Sequence, residues 1–128
     1  MHVLIVEDHP SDLHMAAEAA TASGFSAIEA RGSAVMAKAY LEKALQGEQP
    51  LPDAIVLDLD LGYDSGFELL RFWHSNPDLS KIPLVVWTVL GEQYREICRM
   101  FKVSAYVCKG EDISVLQQVL SGLSGLAA

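Results

Sequence analysis

The most constraining feature of the sequence is a short, uninterrupted apolar run that ends in an acidic residue. Residues 54–57 read Ala-Ile-Val-Leu, and Asp58 follows them directly. Such a run is typical of a strand that is buried on both faces, as in the middle of a parallel sheet. Open α/β sheets bind their ligands beyond the carboxyl ends of these strands. The pattern therefore places Asp58 where a functional site is expected.

Similar apolar runs alternate with helical patterns along the chain. Strands are predicted at 3–6, 25–30, 54–59, 84–89 and 105–108, and the second of them contains Glu29, which favours an edge position. Helices are predicted at about 12–23, 34–46, 66–76, 92–103 and 113–123, with Ser11 or Asp12 capping the first and Ser33 the second. Five strands alternating with five helices predict a parallel sheet covered on both faces.

The length of 128 residues and the 51% share of hydrophobic residues predict one domain with a full core. We expect this domain to occupy residues 1–124 and a small-residue tail to occupy 125–128. No apolar run approaches the roughly 20 residues of a membrane span, and the N-terminus lacks the pattern of a secretory signal. The protein is therefore expected in the cytoplasm, with Cys98 and Cys108 as free thiols.

The net charge of −8 limits the classes of partner. Nucleic acids and anionic lipids attract basic patches, so neither is expected to bind this chain directly. An acidic protein is instead suited to bind cations or the basic surfaces of other proteins.

Several polar residues stand at the predicted C-terminal ends of strands: Glu7, Asp8, Asp58, Thr88 and Lys109. Because the carboxyl ends of parallel strands share one edge of the sheet, these side chains are expected to meet there. Crowded carboxylates repel one another unless a proton or a cation intervenes, and a site built only from oxygen ligands suits Mg²⁺. A carboxylate nucleophile, a lysine, a hydroxyl and Mg²⁺ together indicate phosphoryl transfer.

These residues resemble the receiver domains of bacterial two-component response regulators over essentially the whole chain. The resemblance rests on the acidic pair Glu7-Asp8, Asp58, Gly66 eight residues later, Thr88, and Tyr106 three residues before Lys109. It implies a flavodoxin-like, doubly wound (βα)5 fold with strand order 2-1-3-4-5. The stretches 6–12 and 76–83 most resemble the small single-domain regulators that partner bacterial phytochrome-type kinases.

The resemblance also implies roles for residues at the metal and phosphoryl site. Asp58 would accept a phosphoryl group from the phosphohistidine of a sensor histidine kinase or a phosphotransfer protein. Asp8 would bind Mg²⁺ directly, Glu7 would hold it through water, and Asp60 would supply a backbone carbonyl ligand.

A second set of implied roles concerns signalling. Lys109 would pair with Asp58 and then with the phosphoryl oxygens, Thr88 would turn its hydroxyl onto the phosphoryl group, and Tyr106 would turn inward. The change would reach a downstream protein partner through the fourth predicted helix, the last strand and the fifth predicted helix, a face that could also form a homodimer. Such a domain is a phosphoacceptor switch rather than an enzyme.

Three positions depart from the family pattern. Gly110 stands where proline usually follows the lysine, so a trans peptide or a strained loop is expected there, since a cis bond costs about 2.5–4 kcal/mol without proline. Val89 replaces a usually small residue and could shield the phosphoryl group from water. Gly62 replaces a frequent proline, which predicts a looser metal-binding loop, and Asp60 and Asp64 in that loop are expected to have solvated side chains.

Two other functions remain open from the sequence. The Asp58-Leu59-Asp60 motif echoes the nucleophile of aspartate-dependent phosphohydrolases, although in those enzymes it ends the first strand and a cap domain is usual. A pseudo-receiver, which is a folded interaction module that is never phosphorylated, is the other alternative. Retention of Asp58, Lys109 and the acidic pair argues against it.

Overall fold

A computed structural model describes residues 1–127 and contains one parallel sheet of five strands. The strands are β1 (His2–Val6), β2 (Ala27–Arg31), β3 (Ala54–Leu57), β4 (Leu84–Thr88) and β5 (Ala105–Cys108). Their order in the sheet is β2-β1-β3-β4-β5. This confirms the predicted α/β fold, the strand order and the edge position of β2.

Within residues 1–127, six α-helices connect and cover the strands. They are α1 (Pro10–Ala22), α2 (Ala34–Leu45), α3 (Gly66–Ser75), α4 (Pro77–Ser80), α5 (Arg95–Met100) and α6 (Ile113–Ala127). Helices α1 and α6 pack on one face of the sheet, while α2, α3 and α5 contribute to the core on the other face.

Alternate strand residues divide between these two cores. In β3, Ile55 and Leu57 face the core on the α2 and α3 side, whereas Ala54 and Val56 face α1 and α6. Because both faces are covered, all four residues are buried. This explains why the run contains no polar residue before Asp58.

Among the described residues, three helices differ from their predicted bounds by more than one residue. Helix α1 begins at Pro10 with His9 at the N-cap, rather than after Ser11 or Asp12, because proline's fixed φ suits the first helical position. Helix α5 is short: a 3-10 turn precedes it, and Lys102 follows it in a left-handed conformation with φ of 63°. Helix α6 continues past the predicted end at Leu123 to Ala127; of the predicted tail, Ala128 lies outside the described residues.

The short helix α4 lies in the stretch that the sequence indicated only as a break. Asn76 ends α3 and also begins α4, where its side chain accepts a hydrogen bond from the Asp78 amide at 3.0 Å. Both cysteines are free thiols, as predicted. Within residues 1–127, none of the helices combines the length and the hydropathy needed to cross a bilayer.

Candidate functional site

The ends of β1, β3 and β5 meet around the ammonium group of Lys109. Its Nζ donates to Glu7 Oε1 at 2.6 Å, to Asp12 Oδ2 at 2.7 Å and to Asp58 Oδ2 at 2.9 Å. A lysine ammonium has three N–H donors, so all of them are directed at carboxylates. The structure thus brings Glu7, Asp58 and Lys109 together as the strand ends predicted, and it adds Asp12.

Two of these carboxylates are buried. Glu7 and Asp58 are each 3% exposed, and both have further donors, since the His9 amide donates to Glu7 Oε2 at 3.1 Å and the Asp60 amide to Asp58 Oδ1 at 3.0 Å. Burial raises the pKa of Glu7 above its ordinary value, although the hydrogen bonds from Lys109 and the His9 amide act in the opposite direction.

Lys109 is held firmly in the charged state. Burial alone would lower its pKa, but the hydrogen bonds to Asp12, Glu7 and Asp58 raise the pKa above the ordinary lysine value. The ammonium also lies 4.9 Å from the ring centroid of Trp87, a distance at which the aromatic face attracts a cation. A fixed positive charge therefore stands directly beside the Asp58 carboxylate.

The acidic groups are close enough to hold a metal ion. Glu7, Asp8 and Asp58 each offer a carboxylate oxygen, and the three oxygens lie within 4.8 Å of one another. A cleft of about 260 Å³ opens over them. This donor set consists of hard oxygen ligands and fits a hard divalent cation.

The loop after β3 is tied to this cleft by main-chain amides. The Gly62 amide donates to Asp8 Oδ2 at 3.0 Å. A proline at this position could not make this bond, because it has no N–H. The glycine therefore supplies a main-chain tether to the acidic pair, while the looser loop expected from the absence of proline stays a prediction.

Gly66 allows the main chain at Asp58 to pack against α3. Its amide donates to the Leu59 carbonyl at 3.0 Å, and a Cβ built on it would lie 2.2 Å from the Asp58 carbonyl oxygen and 2.7 Å from Leu59 Cα. No side chain fits between these backbones. The spacing of eight residues between Asp58 and Gly66 thus has a steric cause.

We expect Gly66→Ala to destabilise the protein by about 3 kcal/mol, the upper part of the range for overpacking, because the new methyl group meets main chain that cannot move independently. Urea unfolding monitored by circular dichroism would measure this. Gly122→Ala on α6 is the matched control, since a Cβ there has nothing within 4 Å, and it should stabilise the helix by about 0.5–1 kcal/mol. Equal effects of the two substitutions would contradict the steric explanation.

Asp64 caps the adjacent helix instead of pointing into solvent. Its two carboxylate oxygens accept hydrogen bonds from the amides of Ala34 at 2.8 Å and Val35 at 3.0 Å, in the first turn of α2. The N-cap residue Ser33 accepts from the Met36 amide at 3.1 Å. The prediction that the Asp64 side chain is solvated is therefore wrong, and the loop after β3 is anchored to α2.

Asp64→Ala is expected to lower the free energy of unfolding by about 1 kcal/mol, because two helix N-terminal amides lose their acceptor and a negative charge leaves the positive end of the helix dipole. Thermal unfolding would measure the loss. The control is Glu42→Ala, which removes an exposed carboxylate from the same helix. If Asp64→Ala and Glu42→Ala have the same free energy of unfolding, the Asp64 cap makes no measurable contribution to stability.

Thr88 and Tyr106 converge on the loop that follows β4. Thr88 is fully buried, and its Oγ1 accepts from the Leu90 amide at 3.3 Å. The Tyr106 hydroxyl lies 3.0 Å from the Leu90 carbonyl oxygen and 2.9 Å from the Gly91 carbonyl oxygen, and its single hydrogen is shared between these two acceptors. Tyr106 faces inward in this structure, and burial raises its pKa to about 12.

Arg95 covers the outer side of Tyr106. Its Nη1 donates to the Tyr106 carbonyl at 3.0 Å, and its guanidinium lies 5.0 Å from the ring centroid. Glu92 pairs with the same guanidinium from the preceding turn. Helix α5 and strand β5 are therefore linked through the residue that the sequence singled out as part of the switch.

The positions that depart from the family pattern have defined surroundings. All peptide bonds among residues 1–127 are trans, including the one between Lys109 and Gly110, so the expectation of a trans peptide is confirmed. Val89 is 63% exposed and lines the cleft beside Lys109. Asp60 also lines the cleft.

Comparison with known proteins places this geometry in context. A family model described as the response regulator receiver domain matches residues 3–121. Among curated proteins, response regulator Rcp1 of Synechocystis sp. is 32% identical over an alignment 128 positions long, which covers 94% of this chain and 84% of that protein.

Solved structures give the same result. The phosphorylated cyanobacterial phytochrome response regulator RcpA matches with a TM-score of 0.79 and 29% identity, covering 95% of this chain and 89% of its own. The Mn²⁺-bound form of Rcp1 matches with a TM-score of 0.79 and 28% identity over 95% and 90% of the two chains. For the bacteriophytochrome response regulator RtBRR the TM-score is 0.77 and the identity 28%, over 94% and 77%.

Proposed function

The chain belongs to the response regulator receiver domain family, and from that premise we propose that it accepts a phosphoryl group on Asp58 and thereby switches its contacts with other proteins. The donor would be a phosphohistidine of a sensor histidine kinase or of a phosphotransfer protein. The observation that carries the proposal is the contact of 2.9 Å between the Lys109 ammonium and the buried Asp58 carboxylate, inside a cluster of acidic groups.

In the proposed reaction an Asp58 carboxylate oxygen attacks the phosphorus of the phosphohistidine. The new O–P bond forms an acyl phosphate while the N–P bond breaks, and the imidazole leaves with the electron pair of that bond and takes up a proton. The transferred phosphoryl oxygens bring their negative charge to position 58, where the Lys109 ammonium is already within hydrogen-bond distance of the carboxylate. A preorganised cation stabilises such developing charge without having to reorganise.

We propose Mg²⁺ as the metal, held by Asp8 and Asp58 directly, by Glu7 through water and by the Asp60 carbonyl. When bound, it would neutralise phosphoryl oxygens as charge redistributes. The oxygen-only donor set of Glu7, Asp8 and Asp58 supports this assignment. The Mn²⁺-bound form of the relative Rcp1 supports the proposed metal binding, and the phosphorylated form of RcpA supports the proposed phosphorylation.

The proposed switch uses the residues around the loop after β4. Thr88 would lose its hydrogen bond from the Leu90 amide and turn its hydroxyl toward the phosphoryl group. The main chain at Leu90, whose carbonyl is also bound by Tyr106, would then be free to move. A local change in charge would in this way alter α5, β5 and α6. Similarity to phytochrome-associated regulators leads us to propose a phytochrome-type kinase as the upstream partner.

The α5-β5-α6 face is also our proposed homodimer surface. Helix α5 carries two exposed apolar side chains, with Ile97 44% and Met100 73% exposed. Light scattering tests this directly, because a mass equal to one chain in both phosphorylation states would reject the dimer.

The proposed function is tested by incubating the protein with Mg²⁺ and a small phosphodonor such as acetyl phosphate. Intact-mass analysis should detect one added phosphoryl group per chain, and chelation of the metal should prevent its addition. Continuous turnover of the donor without an adduct would indicate a phosphohydrolase. The absence of both would indicate a pseudo-receiver.

A further inference from the structure

Asp12 is the contact of Lys109 that sequence patterns did not indicate. It lies in the first turn of α1, and its Oδ2 is 2.7 Å from Lys109 Nζ. Its side chain is 28% exposed, whereas the Lys109 side chain is 8% exposed. The Nδ1 of His9 is 3.8 Å from the same Asp12 oxygen.

The three carboxylates around Lys109 are not equivalent. Oxygens of Glu7 and Asp58 belong to the cluster that could hold a metal ion, together with Asp8, whereas Asp12 is not a member of that cluster. A cation or a phosphoryl group bound there would therefore draw on Glu7 and Asp58. Asp12 alone is free to keep its hydrogen bond to the lysine throughout.

We propose that Asp12 is a positioning residue that anchors the Lys109 ammonium from α1, so that it stays aimed at position 58 when the other two carboxylates engage a metal or a phosphoryl group. A lysine side chain carries its ammonium on a flexible four-carbon stem. Holding this stem in one conformation costs conformational entropy, and the hydrogen bond to Asp12 would offset that cost. The ion pair would also connect α1 to the phosphoryl group through a single side chain. This inference rests on the proposed function.

The test compares wild type with Asp12→Ala, Asp12→Asn and Asp12→Glu. At saturating Mg²⁺, we expect Asp12→Ala to slow the initial rate of labelling by acetyl phosphate about tenfold, within the range for losing a charge-assisted hydrogen bond. Asp12→Asn keeps an oxygen acceptor and should fall between Ala and wild type, while Asp12→Glu should recover most of the rate. Glu18→Gln, which removes an exposed charge from the same helix, should leave the rate unchanged.

A second measurement needs no phosphodonor. In ¹⁵N-edited NMR spectra recorded at saturating Mg²⁺, so that Glu7 and Asp58 are engaged by the metal, the Lys109 ammonium should give an observable signal in wild type, because its hydrogen bond to Asp12 slows exchange with water. In Asp12→Ala we expect this signal to broaden beyond detection, while in Glu18→Gln it should persist. A role confined to helix stability would lower the melting temperature of the Asp12 variants without moving this signal.

The outcomes separate this inference from the proposed function. If wild type is labelled and all Asp12 variants are labelled at the same rate, the anchor is refuted and the function stands. If wild type is not labelled, the proposed function fails, and the NMR signal alone decides whether Asp12 holds the lysine. A persistent Lys109 signal in Asp12→Ala would overturn the inference in either case.

Discussion

Asp58→Asn is expected to reduce phosphoryl labelling to background. The amide oxygen of asparagine is a far weaker nucleophile than a carboxylate, and it cannot form the acyl phosphate. The fold should persist, because asparagine has the same shape and its single side-chain oxygen can still accept from the Asp60 amide. Its NH2 group then takes the place of the oxygen that accepts from Lys109, while Glu7 and Asp12 continue to hold the ammonium. Intact-mass analysis after incubation with Mg²⁺ and acetyl phosphate measures the result.

The control for this experiment is Asp78→Asn, which makes the same chemical change at an exposed residue. It should be labelled like wild type. A phosphoryl group on the Asp58→Asn variant at the wild-type stoichiometry would show that the acceptor is another residue. Peptide mapping would then identify it.

Lys109→Met should destabilise the metal-free protein by about 3 kcal/mol at pH 7.5, near the lower end of the cost of breaking a buried ion pair. Methionine fills much of the lysine volume but leaves Glu7 and Asp58 buried without their cation. Because the cleft is open to solvent, water can partly hydrate the two carboxylates, and the destabilisation stays below the upper end of the range for a broken buried ion pair. Urea unfolding in the presence of a chelator measures it.

The pH dependence of this variant has a defined sign. The folded-state pKa of Glu7 is already raised by burial, and loss of the hydrogen bond from Lys109 removes an influence that lowers it. A carboxyl with a raised folded pKa contributes stability that is present below the unfolded pKa and is lost as pH rises through the folded pKa. The deficit of Lys109→Met relative to wild type should therefore shrink as the pH is lowered from 7.5 toward 5.

Lys43→Met is the control, because Lys43 is exposed on α2. We expect it to change the free energy of unfolding by less than about 0.5 kcal/mol, as is usual at the surface. A deficit of Lys109→Met that stays constant with pH would contradict the explanation through Glu7.

The sequence was sufficient to predict the sheet and the convergence of its polar strand ends. Buried parallel strands have a strong signature, namely unbroken apolar runs such as 54–57, and topology then forces the residues that follow them onto one edge. Glu7, Asp58 and Lys109 could be placed together for this reason, without any knowledge of side-chain geometry.

The partners of Asp12 and Asp64 could not be predicted, because local rules gave plausible alternatives. An aspartate near a helix start suggests a cap, yet Asp12 pairs with a lysine 97 residues away. An aspartate in a polar loop suggests solvation, yet Asp64 caps a helix that begins 30 residues earlier. Such contacts depend on how separate elements pack, which residue patterns do not encode.

The spacing of the site along the chain affects how the protein is made. Asp58 and Lys109 are 51 residues apart, and Glu7 and Lys109 are 102 apart. During synthesis the carboxylates of Glu7 and Asp58 therefore leave the ribosome well before the Lys109 ammonium that compensates their negative charge. A nascent chain that ends before Lys109 lacks the ammonium group around which the carboxylates are arranged. The cluster is therefore completed only when β5 joins the sheet.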